Sequence, residues 1–339
     1  MRLKGLLDKF RDPKIAWEAN RSELLECGIP SKVTDLIIET RQTFDPQNYA
    51  DEILKSGIKI LTIFDENYPK LLKQIYDPPI VLYYKGEIDW HKKAIAVVGT
   101  RKMTGYGRSV TEQFVTDLVA GELTIVSGLA RGVDTVAHKV TVEKGGQTIA
   151  VLGGGLNEIY PPENRSLAEK IASGFGVVLS EFAPNEPSMP GNFPARNRII
   201  AGLSLGVLVT EAAYDSGSLI TAKEAIEQGK EVFAIPGPIT SDLSKGPVSL
   251  IQNGGKPVFN ASEILEELGV TGRQISTSVI ENISPDEKKI LDLLENEQMH
   301  IDDICRALDM SAAAVSGTLL KMEIMGFAKN LGAGVYARA

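Results

Sequence analysis

From residue 94 to residue 235 the chain repeats one unit: a short apolar run, a loop and a helical stretch. The apolar runs fall at 94–98, 123–127, 148–152, 177–180, 206–210 and 231–235, short enough to read as buried strands. Helical patterns lie between most of them, around 106–120, 132–144, 163–173, 196–203 and 216–228. Strands that alternate with helices pair in parallel through right-handed crossovers. The pattern therefore predicts an α/β fold built on a doubly wound, mostly parallel sheet. Ligands of such sheets sit beyond the carboxyl ends of the strands, so function is expected in the loops that follow strands.

Those loops share a composition. The first reads Gly99-Thr100-Arg101-Lys102 and runs on through Gly105 and Gly107 to Arg108; the second is Ser127-Gly128-Leu129-Ala130-Arg131-Gly132-Val133-Asp134. The third offers Gly153-Gly154-Gly155 and then Tyr160-Pro161-Pro162-Glu163-Asn164-Arg165. Glycine lets a backbone approach a ligand closely, free N–H groups at helix starts cradle phosphate, and arginine adds charge-assisted contacts to the same oxygens. None of the loops is a Walker A, because no Gly-Lys-Ser/Thr follows, and the first is Gly-x5-Gly-x-Gly rather than G-x-G-x-x-G. Several basic glycine loops on one sheet edge point to an anion site. The competing reading pairs the arginines with carboxylates such as Glu181, Glu211 and Asp215.

The stretch 193–202, Phe-Pro-Ala-Arg-Asn-Arg-Ile-Ile-Ala-Gly, sharpens the choice. A helix N-terminus carries about half a positive charge, and an acid there gains about 0.3–1 kcal/mol. This helix opens instead with Arg196-Asn197-Arg198 and no acid in its first turn. Residues two apart on a helix point about 200° apart, so one arginine is expected to face a ligand while the other braces the sheet through an ion pair. The spacing does not say which. Ser216-Gly217-Ser218 opens the following helix with small hydroxyl-bearing residues.

The chain has 339 residues, of which 43% are hydrophobic, enough for two or three domains. A net charge of −8 argues against a basic coat over the whole surface but leaves room for a local basic pocket. Cys27 and Cys305 form no metal spacing and read as reduced thiols of a cytoplasmic protein. No apolar run is long enough to span a membrane. Three histidines, His91, His138 and His300, cannot build a metal cluster, and no nucleophile elbow accompanies them. Asp134 and His138, four apart, form a possible helical pair. Tyr106 and Phe193 lie beside basic loops, where stacking on bases or plain packing would explain them.

The flanks read as separate modules. Residues 1–57 predict short helices, with Ser22 as an N-cap and a break at Gly28-Ile29-Pro30; they resemble a helix-hairpin-helix or SAM-like module. The joining segment around Tyr68-Pro69 and Asp77-Pro78-Pro79 shows no chemistry. The main α/β domain is expected over 58–270, and 271–283 reads as a linker. Over 284–339, Ser284-Pro285-Asp286-Glu287 is a capping box, helices follow at 285–295, 300–308 and 311–325, and a glycine-bearing hairpin reads as a wing. This winged-helix pattern has six basic residues against nine acidic ones. That favours a protein-contact or regulatory role over duplex binding, which needs neutralised phosphates.

Taken together, the motifs resemble the DprA (Smf) family of bacterial DNA-processing proteins. The resemblance rests on Val98 to Arg101, Ser127 to Asp134 with Ala137-His138, Gly145 to Leu152, Tyr160-Pro161, Phe193 to Ser204, Glu211-Ala212, Ser216 to Ala222 and Pro236-Gly237. It implies an extended Rossmann-like domain that dimerises and binds single-stranded DNA, and a protein that protects incoming DNA and loads the recombinase RecA during natural transformation. The basic loops come with no nucleophile, metal set or ATP motif, so no catalysis, cofactor or metal is expected. Arg101 and a basic residue just after Tyr160-Pro161 are expected to hold phosphates, with Arg196-Asn197-Arg198 nearby. The chain departs from the family in three places. Pro162 and Glu163 stand where a basic residue is usual, leaving Arg165 to supply the charge. Gly246-Pro247-Val248 replaces the usual Gly-x-Asn ahead of Leu250-Ile251, residues that border the expected dimer helix. The helical module at the N-terminus begins partway through. A rival reading, a nucleotide enzyme like the cytokinin-activating phosphoribohydrolases, finds only Thr221-Ala222-Lys223-Glu224 in its favour, without the leading Pro-Gly-Gly.

Overall fold

A computed structural model describes residues 2–270, 284–294, 298–324, 327–332 and 334–338; the expected linker, 271–283, lies outside the described residues. The chain divides into two compact units, Met1–Gly272 and Arg273–Ala339. The helices expected as a separate N-terminal module therefore belong to the first unit.

That unit begins with helices α1 (Arg2–Phe10), α2 (Pro13–Glu18), α3 (Arg21–Glu26), α4 (Ser31–Thr40) and α5 (Pro46–Lys55). Leu24, Ala19 and Ile29 form a small core of their own among the first four. The N-cap of α3 is Asn20 rather than Ser22. Its side chain accepts from the Glu23 N–H while the Glu23 carboxylate accepts from the Asn20 N–H, a reciprocal pair that a serine two residues later cannot form. Helix α5 behaves differently from its neighbours: Ile53 packs with Ile58, Ala150, Leu152, Val178 and Ile171 against the main sheet.

Strands β1 (Lys59–Thr62) and β2 (Val81–Gly86) flank α6 (Lys70–Lys73). The repeating region follows as β3 (Ala94–Val98), α7 (Gly105–Ala120), β4 (Thr124–Ser127), α8 (Val133–Glu143), β5 (Thr148–Val151), α9 (Arg165–Lys170), β6 (Gly176–Ser180), α10 (Asn192–Gly202), β7 (Gly206–Val209), α11 (Ser218–Glu227) and β8 (Glu231–Ala234). Helix α12 (Lys245–Gln252), β9 (Lys256–Pro257) and α13 (Ala261–Glu267) complete it. The sheet order is β1-β2-β6-β5-β4-β3-β7-β8-β9, parallel from β6 to β9, with β1 and β2 added antiparallel at one edge. The strands have apolar residues at nearly every position because both faces are covered. Ala94, Ala96 and Val98 face a layer containing Ile199, Ile200 and Ala225, while Ile95 and Val97 face Phe114, Val115 and Val136. The order reverses at β3, which pairs with β4 on one side and β7 on the other. A ligand crevice is expected at such a point.

A buried polar bond helps to pin the joining segment. Tyr68 is 1% exposed, and its hydroxyl donates to the Pro79 carbonyl at 2.6 Å. Its ring packs with Leu72 and Leu82 in the main core.

The second unit packs α14 (Pro285–Leu293), α15 (Ile301–Leu308) and α16 (Ala312–Ile324) against a sheet of β10 (Met299–His300), β11 (Ala328–Gly332) and β12 (Val335–Arg338) in the order β10-β12-β11. This is a winged-helix arrangement. Its core holds Ile290, Ile304, Val315, Leu319 and Met322, and the expected capping box at Ser284 and Glu287 is present. Glu287, 1% exposed, is also paired with Lys321 of α16 at 2.9 Å.

Removing the Tyr68 hydroxyl leaves a buried carbonyl without its partner. Tyr68→Phe is expected to lower unfolding free energy by about 1–2 kcal/mol with an unchanged denaturant m-value, measured by urea denaturation.

Candidate nucleic-acid interface

Helix α10 carries both arginines of the 193–202 stretch, and the two have separate surroundings. Arg196 is 4% exposed. Its Nη1 donates to the carbonyl of Gly128 at 2.8 Å and to that of Val151, so one guanidinium joins the carboxyl ends of β4 and β5. A Cβ on Gly128 would lie 2.6 Å from that guanidinium, which is why a glycine stands there. Burial pushes the Arg196 pKa down to about 10, opposed by the charge of Asp134, so it remains a cation at neutral pH. Arg198 points the other way. It forms a two-pronged pair with Glu181, 2.6 Å on each prong, with Asp77 at 3.4 Å. The arginine pair thus divides as the spacing predicts in one respect: Arg198 is the brace. Arg196, however, reaches backbone carbonyls at the cavity floor, the ends of β4 and β5, rather than pointing into open space.

Asp134 holds the second loop. Its Oδ2 accepts from the N–H groups of Gly128 (3.0 Å) and Ala130 (3.3 Å). Burial raises its pKa, against the Arg196 charge and these N–H donors. The loop turns through Leu129 at φ 56° and Gly132 at φ 76°, and a Cβ on Gly132 would sit 2.2 Å from the Thr100 carbonyl. The expected Asp134–His138 pair does not form. His138 is fully buried, with Nδ1 2.7 Å from the Thr148 hydroxyl. Thr148 donates its own proton to Ile125, so the histidine donates from Nδ1.

These anchors surround a cavity of about 720 Å³ at the switch point. Gly99, Thr100, Arg101, Lys102, Asn197, Ser216, Gly217 and Ser218 line it, with Arg196 at its base and Phe193, Tyr160 and Ile220 on its walls. Among the described residues Arg101 and Lys102 have no carboxylate partner. Both are exposed. The start of α11 faces the same space with no acid in its first turn. Asn197 donates to the Gly217 carbonyl at 3.3 Å, tying the two helices together.

A smaller cleft adjoins it, lined by Arg101, Gly128, Arg131, Tyr160 and Phe193. There cations and rings alternate. The Arg101 guanidinium carbon lies 5.6 Å from the Phe193 centroid and that of Arg196 lies 5.9 Å away; Tyr160 and Phe193 are 5.8 Å apart, and Arg131 is 5.9 Å from the Tyr160 ring. Phe193 belongs to this wall. Tyr106 does not line it; its hydroxyl donates to the Pro236 carbonyl.

Other expected site residues stand outside the lining. Ser127 is buried and donates to the Val97 carbonyl. Gly153 makes room for the Phe193 ring and Gly154 for Ser188. Arg165 begins α9 and is exposed. Leu250 and Ile251 lie on α12, partly buried, with Leu250 against the main core. Glu211 pairs with no arginine among the described residues; it accepts from the N–H and hydroxyl of Thr104. No group of three metal-ligating side chains is present among the described residues, and no described helix is long and apolar enough to cross a membrane. Sequence reasoning missed Asp134 as a loop anchor; it stands in the first turn of α8, behind the N-cap Gly132, and accepts from the loop before the helix.

A doubly wound α/β sheet with exposed basic loops at its switch point, in a chain that also carries a winged helix, defines a protein of Rossmann-like fold with a basic recess. Residues 59–269 match the family model for DNA recombination-mediator protein A, and residues 263–334 match that of the DprA winged helix domain. Protein Smf of Synechocystis is 37% identical over 96% of this chain and 91% of its own length; the DNA processing protein DprA of Bacillus subtilis is 44% identical over 63% and 72%. The crystal structure of DprA from Streptococcus pneumoniae aligns with a TM-score of 0.70 and 38% identity, covering 78% of this chain and 92% of that one. The Helicobacter pylori protein, described for its single-stranded DNA binding mode, aligns at 0.57 and 30% identity, covering 64% and 97%. The chain belongs to the DNA recombination-mediator protein A (DprA/Smf) family.

Two outcomes test the buried network. Arg196→Met leaves the carbonyls of Gly128 and Val151 without their buried donor and is expected to cost about 1–3 kcal/mol for each in urea denaturation. Burial, aided by the nearby Arg196 cation, pushes the His138 pKa down to about 3. An unfolded histidine binds a proton below about 6.5 that the folded ring refuses, so this contribution to stability is lost as pH falls from about 6.5 towards 3. Relative to His138→Gln, the parent should lose up to about 1.4 kcal/mol per pH unit in that window.

Proposed function

We propose that this protein binds single-stranded DNA through the switch-point cavity, protects incoming strands, and delivers them to the recombinase RecA in the cytoplasm during natural transformation. The observation that carries the DNA reading is the pair of exposed cations, Arg101 and Lys102, with no carboxylate partner among the described residues, beside two helix starts that lack acids and a wall of aromatic rings. Phosphate oxygens suit the cations and helix N-termini, and an unstacked base suits the rings. Duplex DNA hides those base faces within its stack. Family membership and the single-stranded DNA binding of the Helicobacter pylori relative support the same ligand. The recombinase, and a homodimer formed about Leu250 and Ile251 of α12, rest on the family resemblance.

Binding is the whole activity in this reading, with no catalytic step, cofactor or metal. The rival phosphoribohydrolase reading needs Glu224 in the cavity. Glu224 instead lines a separate depression beside Arg198, Glu227 and Lys230. The winged helix contributes through protein contacts, since Lys321, the basic residue of α16, is held by buried Glu287.

Fluorescence anisotropy with an unstructured oligonucleotide and its duplex, across a salt series, tests this reading. Single strands are expected to bind more tightly than duplex, and Arg101→Ala to weaken strand binding about 10- to 100-fold while flattening the salt slope by about 0.7. An unchanged affinity in a folded Arg101→Ala protein would remove the cavity from the account. Incubation with nucleoside monophosphates is expected to release no free base.

A further inference from the structure

One acidic side chain stands at the edge of the basic cleft. Glu163 accepts from Nε of Arg131, with both side chains about half exposed, 53% and 50%. The pair holds the Arg131 guanidinium over the Tyr160 ring, itself 42% exposed. The same cleft contains Arg101, which has no such partner among the described residues.

The ion pair is not what fixes the loops. Asn164, next in the chain and 4% exposed, donates to the Leu129 carbonyl and to the Thr135 hydroxyl, both at 2.8 Å. Those buried bonds join the 160–165 segment to the 128–132 loop without help from Glu163. A solvent-exposed ion pair adds little stability of its own. A carboxylate on a cation that faces an anion site competes directly with the ligand's own oxygens.

We propose that Glu163 is a built-in competitor for the phosphate backbone: it occupies Arg131 in the free protein, and a bound strand displaces it, gaining the Arg131 cation and freeing the face of Tyr160. This rests on the reading of the cavity as a single-strand site and adds to it a residue that sets affinity. Glu163 holds back binding that the other loops provide, so strand release is easier than Arg101, Lys102 and Arg131 together would allow.

The test is a cycle of Glu163→Gln, Arg131→Ala and the double variant in the full chain, with affinity for an unstructured oligonucleotide measured across a salt series. Glutamine keeps the size of the side chain and removes the charge. Glu163→Gln is expected to tighten binding roughly two- to five-fold and to steepen the salt slope by about 0.7, one more phosphate contact. Arg131→Ala should weaken binding, and adding Glu163→Gln to it should bring no further gain. Equal or weaker binding by Glu163→Gln would overturn the inference while leaving the cavity assignment intact. So would an equal gain in the Arg131→Ala background, which would mark a long-range charge effect instead of displacement. A parent protein that fails to bind the strand would overturn both readings. Thermal melting of each variant checks that the fold is kept.

Discussion

The site depends on one buried guanidinium. Arg196 enters from α10, crosses beneath two loops and donates to carbonyls that end β4 and begin the loop after it, and that end β5. Backbone carbonyls at strand ends otherwise lack partners, and a buried charge needs several donors or acceptors to be tolerated. Each problem offsets the other. Gly128 must lack a side chain for the approach, and Asp134 supplies the compensating charge while drawing in the N–H groups of the same loop. Phe193, one turn earlier on α10, is thereby set against the cavity with Arg101 over its ring. Helix position, loop shape and wall chemistry follow from one interaction.

Four arginines around the sheet edge show a gradient of engagement. Arg196 is buried and spent on structure; Arg198, 16% exposed, is held by Glu181 and Asp77. Arg131 is half exposed with a single acid, and Arg101 has none among the described residues. The desolvation cost of a guanidinium rises with burial, so the inner two need fixed partners. The outer two stay available to an exchangeable anion, because an exposed pair is easily broken. A count of arginines in loops does not separate these roles. Their depth does.

The sheet was legible in the sequence because its strands are buried on both faces. Each expected strand from 94 to 235 agrees with the structure to within a residue or so at its ends, and the parallel order follows from the intervening helices. The sequence grouped the basic loops after β3, β4 and β5; topology brings those after β3, β4 and β7 to one cavity, with Tyr160 from the third loop but without Gly153, Gly154 or Arg165. What the pattern left out depends on contacts distant in sequence. Arg196 and Arg198 differ by whether β4 and β5 or Glu181 lie along their paths, and no local spacing encodes that. The Tyr160–Phe193 contact joins residues 33 apart. At the N-terminus, Asn20 outcompetes Ser22 as the cap through a reciprocal bond, and α5 joins the main core because Ile53 meets Ile58 and Val178. Periodicity marks an apolar face but not its partner.

The net charge of −8 shows why composition is a poor guide to a site of this kind. At physiological ionic strength charges are screened over about 8 Å, so most of the surface acids are too far from the cavity to set its field. What a ligand would meet is the local balance: Arg101 and Lys102 without a carboxylate partner among the described residues, Arg131 paired with Glu163, and two helix starts without acids. A protein can therefore be acidic overall, which resists indiscriminate adhesion to polyanions, and still present a basic recess. The winged helix carries the same logic to its limit. Its expected recognition helix offers Lys321, and that cation is drawn down onto a carboxylate 1% exposed, leaving small and apolar residues such as Ala313, Ala314 and Leu320 facing outward. A face of that kind has little to offer a phosphate backbone, which is why the proposed strand site lies in the sheet's loops.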